Sequence, residues 1–159
     1  MKLWDFALEF YASDGVAPLC LELQHRAGVD VNILIYAVWL ASRNDSEISR
    51  SDIAKADASV RAWREEVVRP MRAVRRYLKA HSDPVPSEQA EMLRDDVKNL
   101  ELAAERLQLE VLERGAPDAT NAFKLAPPWR VREVIKSVSK YYDDEAENIM
   151  FPSIDRQIR

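Results

Sequence analysis

The chain has 159 residues, 47% of them hydrophobic and 31% charged, with a formal net charge of −4 and a pI near 5.3. That balance describes one folded domain with a core of its own and excludes a disordered chain, and an acidic total gives no general pull toward nucleic acid or anionic lipid. One cysteine, Cys20, rules out an intrachain disulfide or a multi-thiolate metal site, and the longest apolar run, Val31 to Ala41, falls well short of the about 20 residues of a membrane span.

Three glycines are too few for a fold of many tight turns, so helices are expected. Leu3, Phe6, Ala7 and Phe10 recur on one helical face and predict a helix over 3–12, closed at Ser13-Asp14-Gly15. A second helix begins near Val16 with Pro18 in its first turn, turns Leu19, Cys20 and Leu23 inward, and ends at Ala27 before a left-handed cap at Gly28. Asp30 is placed to cap a third helix over 31–42 that is apolar on every side and therefore enclosed by others. Its β-branched residues also suit a buried strand, but a lone strand would leave its backbone unpaired.

After a polar loop from Ser42 to Ser49 comes the longest predicted element, 51–80, with the stripe Ile53, Ala56, Val60, Trp63, Val67, Met71, Val74 and Leu78 at near-heptad spacing. Pro70 inside it predicts a kink between Glu66 and Pro70, or two helices in tandem. His81 to Pro86 is a turn, and Ser87 is read as the cap of a helix whose stripe is Leu93, Val97, Leu100, Ala104, Leu107 and Val111, widened by Leu102 and Leu109 and ended at Gly115. Residues 116–128 form an irregular loop with one turn expected at Thr120 to Lys124, and a last helix covers 128–142. From Asp143 the chain turns polar and then carries Ile149, Met150, Phe151 and Ile154, so 143–159 is read as a flexible or docked tail.

Charge predicts how the two long helices pair. Residues 51–80 hold eight basic side chains against four acidic, and residues 87–113 hold eight acidic against three basic. Opposite balances on heptad helices joined by a short turn describe an antiparallel hairpin with ion pairs along its flanks. The expected fold is all-α: one domain over 1–159, a bundle of about six helices in which the hairpin covers the apolar third helix.

Signals for chemistry are sparse. Glu22 and His25 share a helix face, but His81 is the only other histidine, so no di-iron ligand set can be assembled and no metal or cofactor is expected. Cys20 in an apolar setting is a packing residue. No glycine-rich phosphate loop or hydrolase serine motif occurs, and no catalytic residue is assigned. The run Ser51 to Arg64 echoes the start of a helix-turn-helix, yet it has no glycine for the turn and its stripe runs straight through, so DNA binding is the weaker reading. Arg69, Arg72 and Arg76 stand at i, i+3 and i+7 on one face. They either answer the acidic helix opposite or grip a carboxylate, a phosphate or an acidic partner. A second candidate set, His25, Tyr36, Trp39, Trp63 and Glu65, could line a pocket gathered from separate helices.

The segment from Leu23 through Gly28, Asp30 and Asn32 to Leu34, running on to Trp39-Leu40-Ala41, resembles the signature of a small proteobacterial family known as a domain of unknown function. Trp4-Asp5-Phe6, Trp63-Arg64, Val68 to Arg72 and Arg76 to Lys79 fit the same family. The resemblance covers the first 80 residues well and the rest loosely. It implies a bacterial cytoplasmic protein and carries over no activity and no catalytic residue; the N-terminus also lacks a basic-then-apolar secretory pattern. The expected function is a non-enzymatic helical interaction or adaptor protein that meets a protein partner or itself, without membrane or nucleic acid. The alternatives are a bundle that binds a small ligand, or an enzyme.

Overall fold

A computed structural model describes residues 1–45, 47–81 and 83–144; the tail from residue 145 lies outside the described residues. Among the described residues every regular element is helical: α1 (Leu3–Ala12), α2 (Val16–Ala27), α3 (Val31–Ala41), α4 (Arg50–Trp63), a π-turn (Arg64–Val68), α5 (Arg69–Ala80), α6 (Ser87–Arg114) and α7 (Pro128–Tyr142). Because α4, the π-turn and α5 run on without a break, the bundle has six helical segments, as the sequence leads one to expect.

The centre is α3, every residue of which is buried from Ile33 to Ala41. Its start is fixed by Asp30, whose Oδ1 accepts from the Asn32 N–H at 2.8 Å, and by Gly28, which takes the left-handed φ of 64° just after α2. Helices α1, α4, α6 and α7 pack around α3. Leu19, Cys20 and Leu23 of α2 join the same apolar cluster. Burial pushes the Cys20 thiol up to about 12, in keeping with a packing role. At the far end of α3 the loop before α7 is pinned by backbone bonds, Asn121 to Arg43 and Lys124 to Ser42, and by Ala126 N–H to the Ser42 hydroxyl. Those bonds hold the loop extended, so the helical turn expected at Thr120 to Lys124 does not form.

The core also contains charge. The Arg64 guanidinium, with its side chain 9% exposed, donates to Asp57 at 2.6 Å and to Asp30 at 2.9 Å. Gln108 Nε2 donates to Asp30 at 2.9 Å, and Tyr142 Oη donates to Asp57 at 2.7 Å. Burial by itself would raise the Asp57 carboxyl, but hydrogen bonds from Tyr142, Arg61 and Arg64 outweigh it and hold the group down at about 2. Against the opposing effect of burial, its bonds to Asp57 and Asp30 hold Arg64 well above its ordinary value.

Pro70 is accommodated without a break. It cannot donate a backbone bond, and the helix widens into the π-turn immediately before it, with the Arg69 N–H bonded five residues back to Arg64. The expected irregularity is therefore present, two residues earlier than its predicted start and as a change of pitch. The extra residue of that turn rotates the inward face, so that Val60, Arg64 and Val68 are buried in succession.

The heptad stripes need correction. On α6 the buried positions are Ala90, Glu101, Ala104, Gln108, Leu109 and Leu112, whereas Leu93, Leu100, Leu107, Val111 and Leu102 are exposed. The true inward face is turned by about one residue, because polar side chains with partners across the bundle occupy it. The hairpin also covers less of the core than expected. α4 and the second half of α6 enclose α3, but α5 has no buried residue and packs on α6 and the π-turn. Ser87 does not cap α6; Pro86 holds that position, and Ser49 supplies a capping box with Asp52 at the start of α4.

A carboxyl held below its ordinary value stabilises the fold above its unfolded-state pKa of 3.8, and that contribution is lost as pH falls through the folded value of about 2. Between pH 4 and pH 2 the urea midpoint of the wild type is expected to fall more steeply than that of Asp57→Asn. Parallel slopes would contradict the role given to Asp57.

Candidate functional site

A groove of about 1190 Å³ lies between α1, α2 and the start of α3 on one side and α5 with α6 on the other. The α1–α2 side contributes the apolar Trp4, Leu8, Tyr11 and Leu21 together with the polar Glu22, His25 and Arg26; α5 contributes a basic wall of Arg69, Arg72, Arg75, Arg76 and Lys79, beside Leu102, Glu101 and Glu105 of α6. The buried network forms its floor through Asp30, Arg64 and Gln108. The groove therefore exists because one charged cluster fixes the start of α3 and the turn from which α5 emerges.

The basic wall divides into structural and free members. Arg72 Nε donates to Glu101 at 2.8 Å and its other end reaches Glu105; Arg75 Nε also donates to Glu101. These pairs tie α5 to α6. Arg69 is held by Glu65 at 2.6 Å on its own helix. Among the described residues Arg76 and Lys79 form no ion pair, and both are exposed at the groove. Within the row Arg72 answers the acidic helix opposite, while Arg76 is exposed and forms no ion pair among the described residues.

The two carboxylates beneath Arg72 differ. For Glu101 burial acts upward, but bonds from Arg75 and Arg72 prevail and lower its pKa. Glu105 is raised, first by burial and then by the charges of Glu101 and Asp30, with Arg72 opposing. Burial also raises the Tyr11 phenol beside it.

Of the second candidate set only His25 lines the groove. Tyr36 and Trp39 are core residues; Trp39 Nε1 donates to the Met1 carbonyl at 3.2 Å, and the Arg43 guanidinium lies 4.2 Å from its ring centre. Trp63 stands outside the groove, with Nε1 bonded to the Ala104 carbonyl at 3.0 Å. Glu65 is half-exposed and holds Arg64 and Arg69. Those five residues do not meet in one cavity. Among the described residues no cluster of three or more His, Cys, Asp or Glu side chains is disposed to hold a metal ion, and no helix is long and apolar enough to cross a membrane. The run Ser51 to Arg64 contains no turn.

Sequence reasoning missed Asp30 as a network member, Asp57, Gln108, Glu101, Glu105 and Tyr142. One signal was available: Glu101, Ala104, Gln108 and Leu112 recur at steps of 3, 4 and 4, a second stripe beside the apolar one.

Residues 2–112 match the model of a family described as "Protein of unknown function (DUF2390)", and the chain belongs to that family. All the groove-lining residues fall inside that span, whereas α7 with Tyr142 follows it. No curated protein matches the chain, and no solved structure does.

At pH 7 Glu101→Gln is expected to lower stability by about 1–3 kcal/mol, since it removes a buried ionised acceptor from two partly exposed guanidinium groups. Glu105→Gln, which neutralises a carboxyl that the fold disfavours in its charged form, is expected to leave the urea midpoint unchanged or raise it. The reverse order would contradict these assignments.

Proposed function

We propose that this member of the DUF2390 family is a non-enzymatic interaction protein whose groove receives an acidic, amphipathic segment of a protein partner. The observation that carries the reading is the pairing of an apolar wall with a basic one that is only partly neutralised from within. Among the described residues Arg76 and Lys79 of α5 form no ion pair, and they line the groove together with Leu8 and Leu21. An amphipathic helix laid in such a groove buries its apolar face on one wall and sets carboxylates against the other. The chain is acidic overall, so this wall is a local reversal of sign rather than part of a general basic surface.

His25, Arg69, Arg72 and Arg76 are the sequence-derived candidates that belong to this reading. Arg72 acts by holding the wall, and Arg69 and Arg76 by facing the ligand. A cytoplasmic bacterial setting is proposed on the same terms, from the family resemblance.

The test uses two synthetic helical peptides with one apolar face in common, one carrying glutamates and the other lysines on the polar face. Fluorescence anisotropy with the full chain is expected to show binding of the glutamate peptide only, weakened by salt. Arg76→Glu with Lys79→Glu is expected to weaken it about tenfold or more, the effect of two rim charges at about 1 kcal/mol each. Equal binding of both peptides, or no effect of the double reversal, would overturn the reading.

A further inference from the structure

Glu101 and Glu105 stand one turn apart on α6, line the groove, and meet α5 through arginines. Their shares are unequal. Glu101 accepts from Arg72 Nε at 2.8 Å and also from Arg75 Nε, and its side chain is 6% exposed. Among the described residues the one ion pair of Glu105 is with Nη2, the other end of the Arg72 fork, and its side chain is 24% exposed. The tie between α5 and α6 therefore survives without Glu105, because Glu101 keeps both arginines.

Glu105 thus occupies a guanidinium donor at the foot of the basic wall, where a ligand carboxylate would form the same contact. Around it stand Tyr11 of α1, Asp30 with its partner Arg64, Arg72 and Arg75 of α5, and Glu101 of its own helix. Of the two carboxylates it is the one the site disfavours in its charged form. Burial raises it above its ordinary 4.5, and the charges of Glu101 and Asp30 add to that while Arg72 opposes.

We propose that Glu105 is a built-in stand-in for the ligand's carboxylate: an acidic ligand takes over Nη2 of Arg72, and Glu105 takes up one proton from solvent. The inference rests on the reading of the groove as a site for an acidic segment, and adds to it a regulation by pH. Arg72 then has two uses at once, with Nε holding the wall on Glu101 and Nη2 held in reserve for the ligand. A neutral Glu105 removes a negative charge from beneath the ligand, so affinity rises as pH falls toward the raised value of that carboxyl. By linkage the bound ligand raises it further, and binding draws in a proton.

The probe is the glutamate peptide, read by anisotropy with the full chain at pH 7.5 and pH 5.5. Its own carboxyls, with an ordinary pKa of about 4.3, stay largely ionised over that range. The gain in wild-type affinity on acidification is expected to exceed that of Glu105→Gln by about fivefold or more. Glu105→Gln, which copies the protonated state, is expected to bind more tightly than the wild type at pH 7.5. His25, which also lines the groove, is common to both proteins, so the difference between them isolates Glu105. Calorimetry of the wild type in two buffers of different ionisation heat is expected to show net proton uptake on binding, and none would overturn the inference without recourse to the variant. Peptide binding with the same pH profile in both proteins would also overturn it, while leaving the reading of the groove in place. A peptide bound by neither protein at either pH would overturn both.

Discussion

The structure depends on one arginine held between two aspartates inside the bundle. A guanidinium taken out of water alone would cost several kcal/mol, and so would either carboxylate. Together Arg64, Asp30 and Asp57 satisfy one another, and Gln108 and Tyr142 donate to the same oxygens that the arginine bonds, Oδ2 of Asp30 and Oδ1 of Asp57. The five residues come from the cap of α3, from α4, from the π-turn, from α6 and from α7. No apolar contact has comparable directional demands, so this cluster sets the relative placement of the elements while the apolar cluster around α3 supplies most of the burial.

The groove follows from that placement. The π-turn lets Arg64 face inward and still delivers α5 with Arg69, Arg72 and Arg76 along a single wall. Arg72 and Arg75 are then used to bind α5 to α6 through Glu101, because α5 has few apolar contacts of its own. What remains unpaired, Arg76 and Lys79, lies toward the end of α5 where the hairpin leaves the body. Exposed apolar residues flank the hairpin, Leu102 in the groove and Leu93, Leu100 and Leu107 of α6 outside it.

Much of the fold was legible in the sequence, and the misses share a cause. Helix boundaries, the Asp30 cap, the left-handed Gly28 and the enclosed third helix all follow from local chemistry, which the sequence carries directly. The face of α6 does not. Leu93, Leu100 and Leu107 make the stronger stripe, but Glu101 and Gln108 take the interior because Arg72, Arg75 and Asp30 wait there. Partners 26 to 78 residues away decide that contest, and periodicity within one helix cannot register them. The same holds for Asp57, which reads as an exposed helix residue until Tyr142, 85 residues on, is placed beside it. For the candidate site the arginine row was legible as a row. Its division into structural Arg72 and available Arg76 required the positions of the acidic partners.

A double-mutant cycle between Arg64 and Asp57, read by urea unfolding at pH 7, tests the central claim most directly. Arg64→Met leaves Asp30 without its cation and Asp57 with only the exposed Arg61, and is expected to cost about 3–5 kcal/mol. In Asp57→Asn the arginine still has Asp30, so the loss is smaller. If the cluster organises the bundle, the double variant is less destabilised than the sum of the single ones, with a coupling of about 2 kcal/mol or more. Additivity within about 0.5 kcal/mol would mean that the two residues act independently, and the account of this fold would be wrong.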